Sequence, residues 1–98
     1  MENFAEKLAS FVAGVSTKIV AARGENVTVE VINGSRYAKV VVCRGELERS
    51  AYCFVDKTNG NVLKAASWNA PAKHARGNIF NADNGLGCCG PYSVAYLR

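Results

Sequence analysis

The stretch "VTVEVINGSRYAKVVVC", Val27 to Cys43, decides the fold. Two runs of alternating β-branched residues flank Asn33-Gly34. Asn-Gly between such runs is a strong hairpin signal, because a type I′ turn needs positive φ at both central positions. A turn at Asn33-Gly34 predicts strands Val27 to Ile32 and Arg36 to Cys43. It sets Val27 against Val40, Val29 against Ala38 and Glu30 against Tyr37. One face then carries Val27, Val29, Val31, Ala38, Val40 and Val42. The other carries Thr28, Glu30, Tyr37, Lys39, Val41 and Cys43.

The first of these faces needs a cover, and residues 3 to 23 supply one. Phe4, Leu8, Phe11, Val12, Val15, Ile19 and Val20 recur at the helical period. Asn3 is the expected N-cap and Gly24 the expected residue just past the helix. Glu2 and Glu6 near the start, with Lys18 and Arg23 near the end, suit the helix dipole.

After a polar loop, Arg44 to Arg49, a second hairpin is expected. It pairs Ala51 to Asp56 with Asn61 to Ala66 across Lys57-Thr58-Asn59-Gly60, with Gly60 left-handed. This sets Phe54 opposite Leu63 and Tyr52 opposite Ala65 as an inner face, with Cys53, Val55, Val62 and Lys64 outside. The whole reads as an α+β domain, 1–98. An N-terminal amphipathic helix packs on an antiparallel meander of four or five strands. Tyr92 to Leu97 is the candidate fifth strand. The outer face, with Tyr37, Val41, Cys43, Cys53, Val55 and Val62, is apolar enough to require either the C-terminal third or a partner over it.

With 98 residues, about half of them apolar, the chain holds one small core. No run approaches the ~20 apolar residues of a membrane span. Glu2 and Glu6 stand where a signal peptide would be basic, so a cytosolic protein with reduced thiols is expected. The net charge of +4 permits an acidic partner without demanding one.

Gly85-Leu86-Gly87-Cys88-Cys89-Gly90 matches the glycine spacing of a dinucleotide site. Pro91 follows at once, where that site needs a helix N-terminus, so no cofactor is expected. Cys43, Cys53, Cys88, Cys89 and His74 lack chelating spacing, and no metal is expected. A nucleophile pair of His74 with Cys88 or Cys89 has no visible orienting carboxylate, and no enzyme is expected. Tyr37, Lys39 and Lys64 on one sheet face have the stacking-plus-cation chemistry of sheet-based RNA binders, without the signature of that class.

The stretch "WNAPAKHARGNIF", Trp68 to Phe80, follows the second hairpin. Pro71 and Gly77 fit the two ends of a short helical turn near residues 71-76. Two readings compete there. In one, Lys64, Trp68, Asn69, Lys73, His74, Arg76 and Asn78 form a basic site for a nucleic acid or an acidic host protein. In the other the stretch is a corner, with Trp68 packed and Arg76 and Asn78 bonded to backbone carbonyls. The alternative to a nucleic-acid binder is a homo-oligomer, possible as a dimer, or a host-factor inhibitor using the apolar sheet or helix face.

The pieces "FVDKTNGNVLKAASWNAPAKHARGNIF" and "CCGPYSVAYLR", with the helix and hairpin before them, resemble small uncharacterised proteins of tailed bacteriophages. The resemblance implies a viral origin and work in the host cell cytoplasm. It supplies no activity, ligand or site residue.

Overall fold

A computed structural model of the chain describes residues 4–24, 26–45 and 48–90. Helix α1 spans Phe4–Arg23, and strands β1 to β5 span Val27–Asn33, Tyr37–Arg44, Glu48–Asp56, Asn61–Ala65 and Pro71–Asn78. A 3-10 turn covers Leu86–Cys88. The five strands lie in the order β1-β2-β3-β4-β5, each antiparallel to the next. The fold is therefore α+β, one helix on an open meander sheet. The Asn3 cap and the Tyr92 to Leu97 strand lie outside the described residues.

Leu8, Phe11, Val15 and Ile19 are the buried stripe of α1. They pack on Val27, Ala38, Val40, Val42, Cys53, Val55, Val62 and Ile79. Gly24 ends the helix as its sequence position suggests. Its φ is +95°, and its N–H reaches the Val20 carbonyl at 2.9 Å.

The first hairpin turns two residues later than Asn-Gly implies. Asn33 pairs with Ala38, and the Gly34 N–H donates to the Tyr37 carbonyl at 2.9 Å, so Ser35-Arg36 is the connection. Neither Asn33 nor Gly34 has positive φ. The neighbouring loop holds this turn. Lys57 donates from its Nζ to the Gly34 carbonyl and from its backbone N–H to that of Arg36. Every partner changes, yet the face assignment survives, because the shift in pairing is even and side chains alternate with period two. Val27, Val29, Val31, Ala38, Val40 and Val42 all meet the helix side.

The second hairpin has the expected register, Phe54 opposite Leu63, and Gly60 is left-handed at φ +81°. Its two faces are the reverse of expectation. Ala38 pairs with Val55 and Val40 with Cys53, which puts Cys53, Val55 and Val62 against α1. Phe54 and Leu63 look the other way, in line with Lys39. A bulge between Val40 and Val41 then slips the ladder, so Tyr52 joins the helix side beside Cys53. The β2–β3 register sets these directions, and Gly45 in the connection, left-handed at φ +66°, does not by itself specify it.

The segment near residues 71-76 is not a helical turn. It is strand β5, at the edge of the sheet among the described residues, whose Ala75 pairs with Leu63 and whose Asn78 pairs with Asn61. The stretch from Pro71 to Asn78 contains no β-branched or aromatic residue. Pairing with β4 and covering its flank outweigh that weak propensity. Pro71 as first residue and two register shifts along the strand suit an edge.

Candidate functional site

The outer sheet face is organised by one transverse row. Ile32 pairs with Lys39, Lys39 with Phe54, Phe54 with Leu63 and Leu63 with Ala75. Directly paired residues share a face, so this row crosses all five strands on the side away from α1. Its middle is buried: Phe54 is 3% and Leu63 8% exposed. Ile32 at one end is exposed, as is Trp68 from the β4–β5 connection, and these are the exposed large hydrophobics among the described residues.

Lys39 lies between them. Its Nζ is 4.0 Å from the centroid of the Trp68 indole and 5.9 Å from that of Phe54. Tyr37, adjacent on β2, meets Phe54 edge-on with centroids 6.0 Å apart, and the Arg36 guanidinium sits 5.2 Å over the Tyr37 ring. Trp68 and Tyr37 thus alternate with Lys39 and Arg36 over the buried Phe54, aromatic and cationic residue types suited to stacking and to phosphate contacts.

The rim is polar and bonded. Asp56 pairs with Tyr37 in the ladder and is buried. Burial pushes its carboxyl up, but hydrogen bonds from the Thr58 hydroxyl (2.6 Å) and N–H (2.8 Å), with Arg36 at 3.5 Å, bring the net shift below the usual value. At the opposite end of β1 and β2, Glu30 accepts from the Cys43 thiol at 3.1 Å and pairs with Arg49 at 3.6 Å.

The residues proposed from sequence separate into groups. Trp68 and Asn69 are exposed in the β4–β5 connection, and Lys73 and His74 are exposed on β5. Arg76 donates from Nη1 to the His74 backbone carbonyl. Asn78 is a structural clasp: its Nδ2 donates to the Asn59 carbonyl and to Asn61 Oδ1, both at 2.9 Å, and its Oδ1 accepts the Phe80 N–H. Lys64 is half-buried and pairs with Cys53, on the opposite face from Tyr37 and Lys39. Arg76 and Asn78 thus do what a corner asks, while Trp68, Asn69, Lys73 and His74 stay accessible.

Ile32, Arg36 and Phe54 belong to this surface and escaped the sequence reading. Alternation alone places Ile32 with Lys39. Phe54 needed the β2–β3 register.

The four cysteines are free. Cys53, Cys88, Cys89 and Tyr52 cluster where the 3-10 turn meets the core. The Tyr52 hydroxyl donates to the Gly90 carbonyl at 2.7 Å, and burial pushes its pKa far up. Among the described residues no group of His, Cys, Asp or Glu is arranged to hold a metal ion, and no helix is long and apolar enough to cross a membrane.

No curated protein and no solved structure matches the chain. The family of unknown function DUF7717 matches residues 2–93, and the chain belongs to that family.

Proposed function

We propose that this member of DUF7717 is a non-enzymatic binding protein whose outer sheet face takes a single-stranded nucleic acid. The observation that carries the reading is the position of Lys39. Its ammonium lies over the exposed Trp68 ring and 5.9 Å from the centroid of Phe54, which Tyr37 meets edge-on, with Lys73 and His74 on the strand that follows. Bases stack on Trp68 and Tyr37. Phosphates are drawn by Lys39, Arg36 and Lys73. Recognition by stacking and charge is tolerant of sequence and steep in salt. Resemblance to small proteins of tailed bacteriophages supports a viral protein acting in the host cell cytoplasm.

Trp68 is the only tryptophan, so its fluorescence reports this surface directly. Short single-stranded DNA and RNA oligonucleotides, titrated at two salt concentrations, should quench it and bind more weakly at the higher salt. Absence of both quenching and anisotropy change at low salt would sink the proposal. Binding of a polyacidic peptide in place of oligonucleotide would redirect it to an acidic protein partner.

A further inference from the structure

The sheet has two edges, and they are built differently. Strand β5 starts with Pro71, carries Lys73 and Gly77, and its ladder slips twice. These features discourage a further strand from adding. Strand β1, Val27–Asn33, has none of them. Its sequence VTVEVIN lacks proline, glycine and lysine, and its ladder with β2 is regular over its whole length. Among the described residues no strand pairs with its other side.

The backbone groups offered at that edge follow from the hairpin. The Gly34 N–H bonds to the Tyr37 carbonyl, which makes Gly34 and Tyr37 a hydrogen-bonded pair. Such pairs alternate along an antiparallel ladder. Ile32, Glu30 and Thr28 therefore turn their N–H and C=O groups to β2. Val27, Val29, Val31 and Asn33 turn theirs outward. Beside this edge, between α1 and β1, lies an open groove of about 730 Å³. Leu8, Val12, Val29 and Val31 line it, with small Ala5 and Ala9 on the helix side.

We propose that β1 pairs with β1 of a second copy of this chain, antiparallel, about a two-fold axis at Val29. That register sets Val29 against Val29 of the partner and Val27 against the partner's Val31. These are the residues with outward backbone groups, so each pair exchanges both hydrogen bonds. Thr28 then faces the partner's Glu30, a hydroxyl opposite a carboxylate. Neighbouring registers are worse. An axis at Glu30 opposes two carboxylates, and there the backbone groups point to β2. An axis at Val31 sets Glu30 against the partner's Ile32.

The register that satisfies the backbone also keeps apolar side chains together on the groove side. The two grooves merge, and Ala5 and Ala9 let the helices approach. The axis runs perpendicular to the sheet, so both outer faces look the same way and form one continuous surface. A strand from another protein could satisfy the backbone, but it has no reason to match this internal symmetry of apolar pairs and Thr–Glu pairs.

The test uses position 28, which is exposed and leaves the core untouched. Sedimentation equilibrium of the full chain should show a dimer. Thr28→Glu places two carboxylates opposite each other twice across the axis and should weaken the dimer roughly tenfold. Thr28→Lys places an ammonium opposite Glu30 and should tighten it. Val29→Pro removes an outward N–H without touching the β1–β2 bonds and should give a folded monomer by circular dichroism. A wild-type monomer at up to roughly 1 mM, the concentration of a weak contact, overturns the proposal. A dimer that shifts the same way, or not at all, in the Glu and Lys variants overturns it too.

Discussion

The Lys39 ammonium stands 4.0 Å from the centre of the Trp68 ring, joining the second strand of the sheet to the connection before the fifth. The ammonium sits over the indole, and the fractional exposure of Trp68 is 39%.

Trp68→Ala should lower affinity for a single-stranded oligonucleotide by about 1–3 kcal/mol, the usual worth of one base–aromatic stack. Lys39→Ala should cost less at high salt than at low salt, because a phosphate contact is screened and a stack is not. Anisotropy titrations at two ionic strengths separate the two effects. Equal salt slopes for wild type and Lys39→Ala would remove Lys39 from the phosphate path.

Asp56 gives the fold an acid limit. Its carboxyl is held below the ordinary value of 3.8: burial alone would raise it, but the Thr58 bonds and Arg36 outweigh burial. A depressed carboxyl stabilises the folded state fully above the unfolded value and loses that contribution as pH falls through the folded one. Melting temperature should therefore be flat above about pH 5 and fall below about pH 4. Asp56→Asn should cost about 1–2 kcal/mol at neutral pH, through the lost charged hydrogen bonds, and flatten the acid limb. Arg36 is largely exposed, so Arg36→Ala should change much less. Thermal melts between pH 3 and 7, spanning roughly that transition, check all three.

The thiols should react unequally. Cys88 is half-buried, and its pKa is pulled down by a hydrogen bond with Cys89, against burial, with the Lys18 ammonium adding to the lowering. Cys89 and Cys53 are pushed up, Cys89 by its bond with Cys88 and by burial, Cys53 by burial. Iodoacetamide near neutral pH should label Cys88 roughly tenfold or more ahead of Cys53 and Cys89, which need local opening first. Peptide mass mapping over time gives the order. Equal labelling of Cys53 and Cys88 in folded protein would contradict the burial of Cys53.

Gly60 is a second sensitive point. At φ +81° an alanine is strained, and its Cβ would lie 2.6 Å from the Phe80 ring. The Gly60 N–H and C=O are both used, by the Asp56 carbonyl and the Ile79 N–H, so the turn cannot swing away cheaply. Gly60→Ala should destabilise by about 2 kcal/mol or more from the left-handed backbone and the clash together. Urea unfolding of the two proteins measures it.

Much of the architecture was legible because it rests on local periodicity. The stripe from Phe4 to Ile19 announces a helix with one buried face, and Gly24 announces its end. Val27, Val29 and Val31 declare which side of β1 is covered. Even the misplaced first turn left that side intact, since an even shift in pairing preserves the faces. Of the surface around Trp68, the sequence showed Tyr37 and Lys39 on one strand face and flagged the Trp68 stretch, but did not join them.

What the sequence determined by itself was the helix, the meander and the side of the first hairpin that seeks the core. Tertiary structure alone decided where Phe54 points, that Pro71–Asn78 is a strand, and that Lys39 meets Trp68. The physical reason is the range of the forces. Helical and strand periodicity are written within a few neighbouring residues. The β2–β3 register, its bulge and the pairing of a weak strand along β4 are settled only when segments far apart in the chain compete for the same core and the same backbone partners.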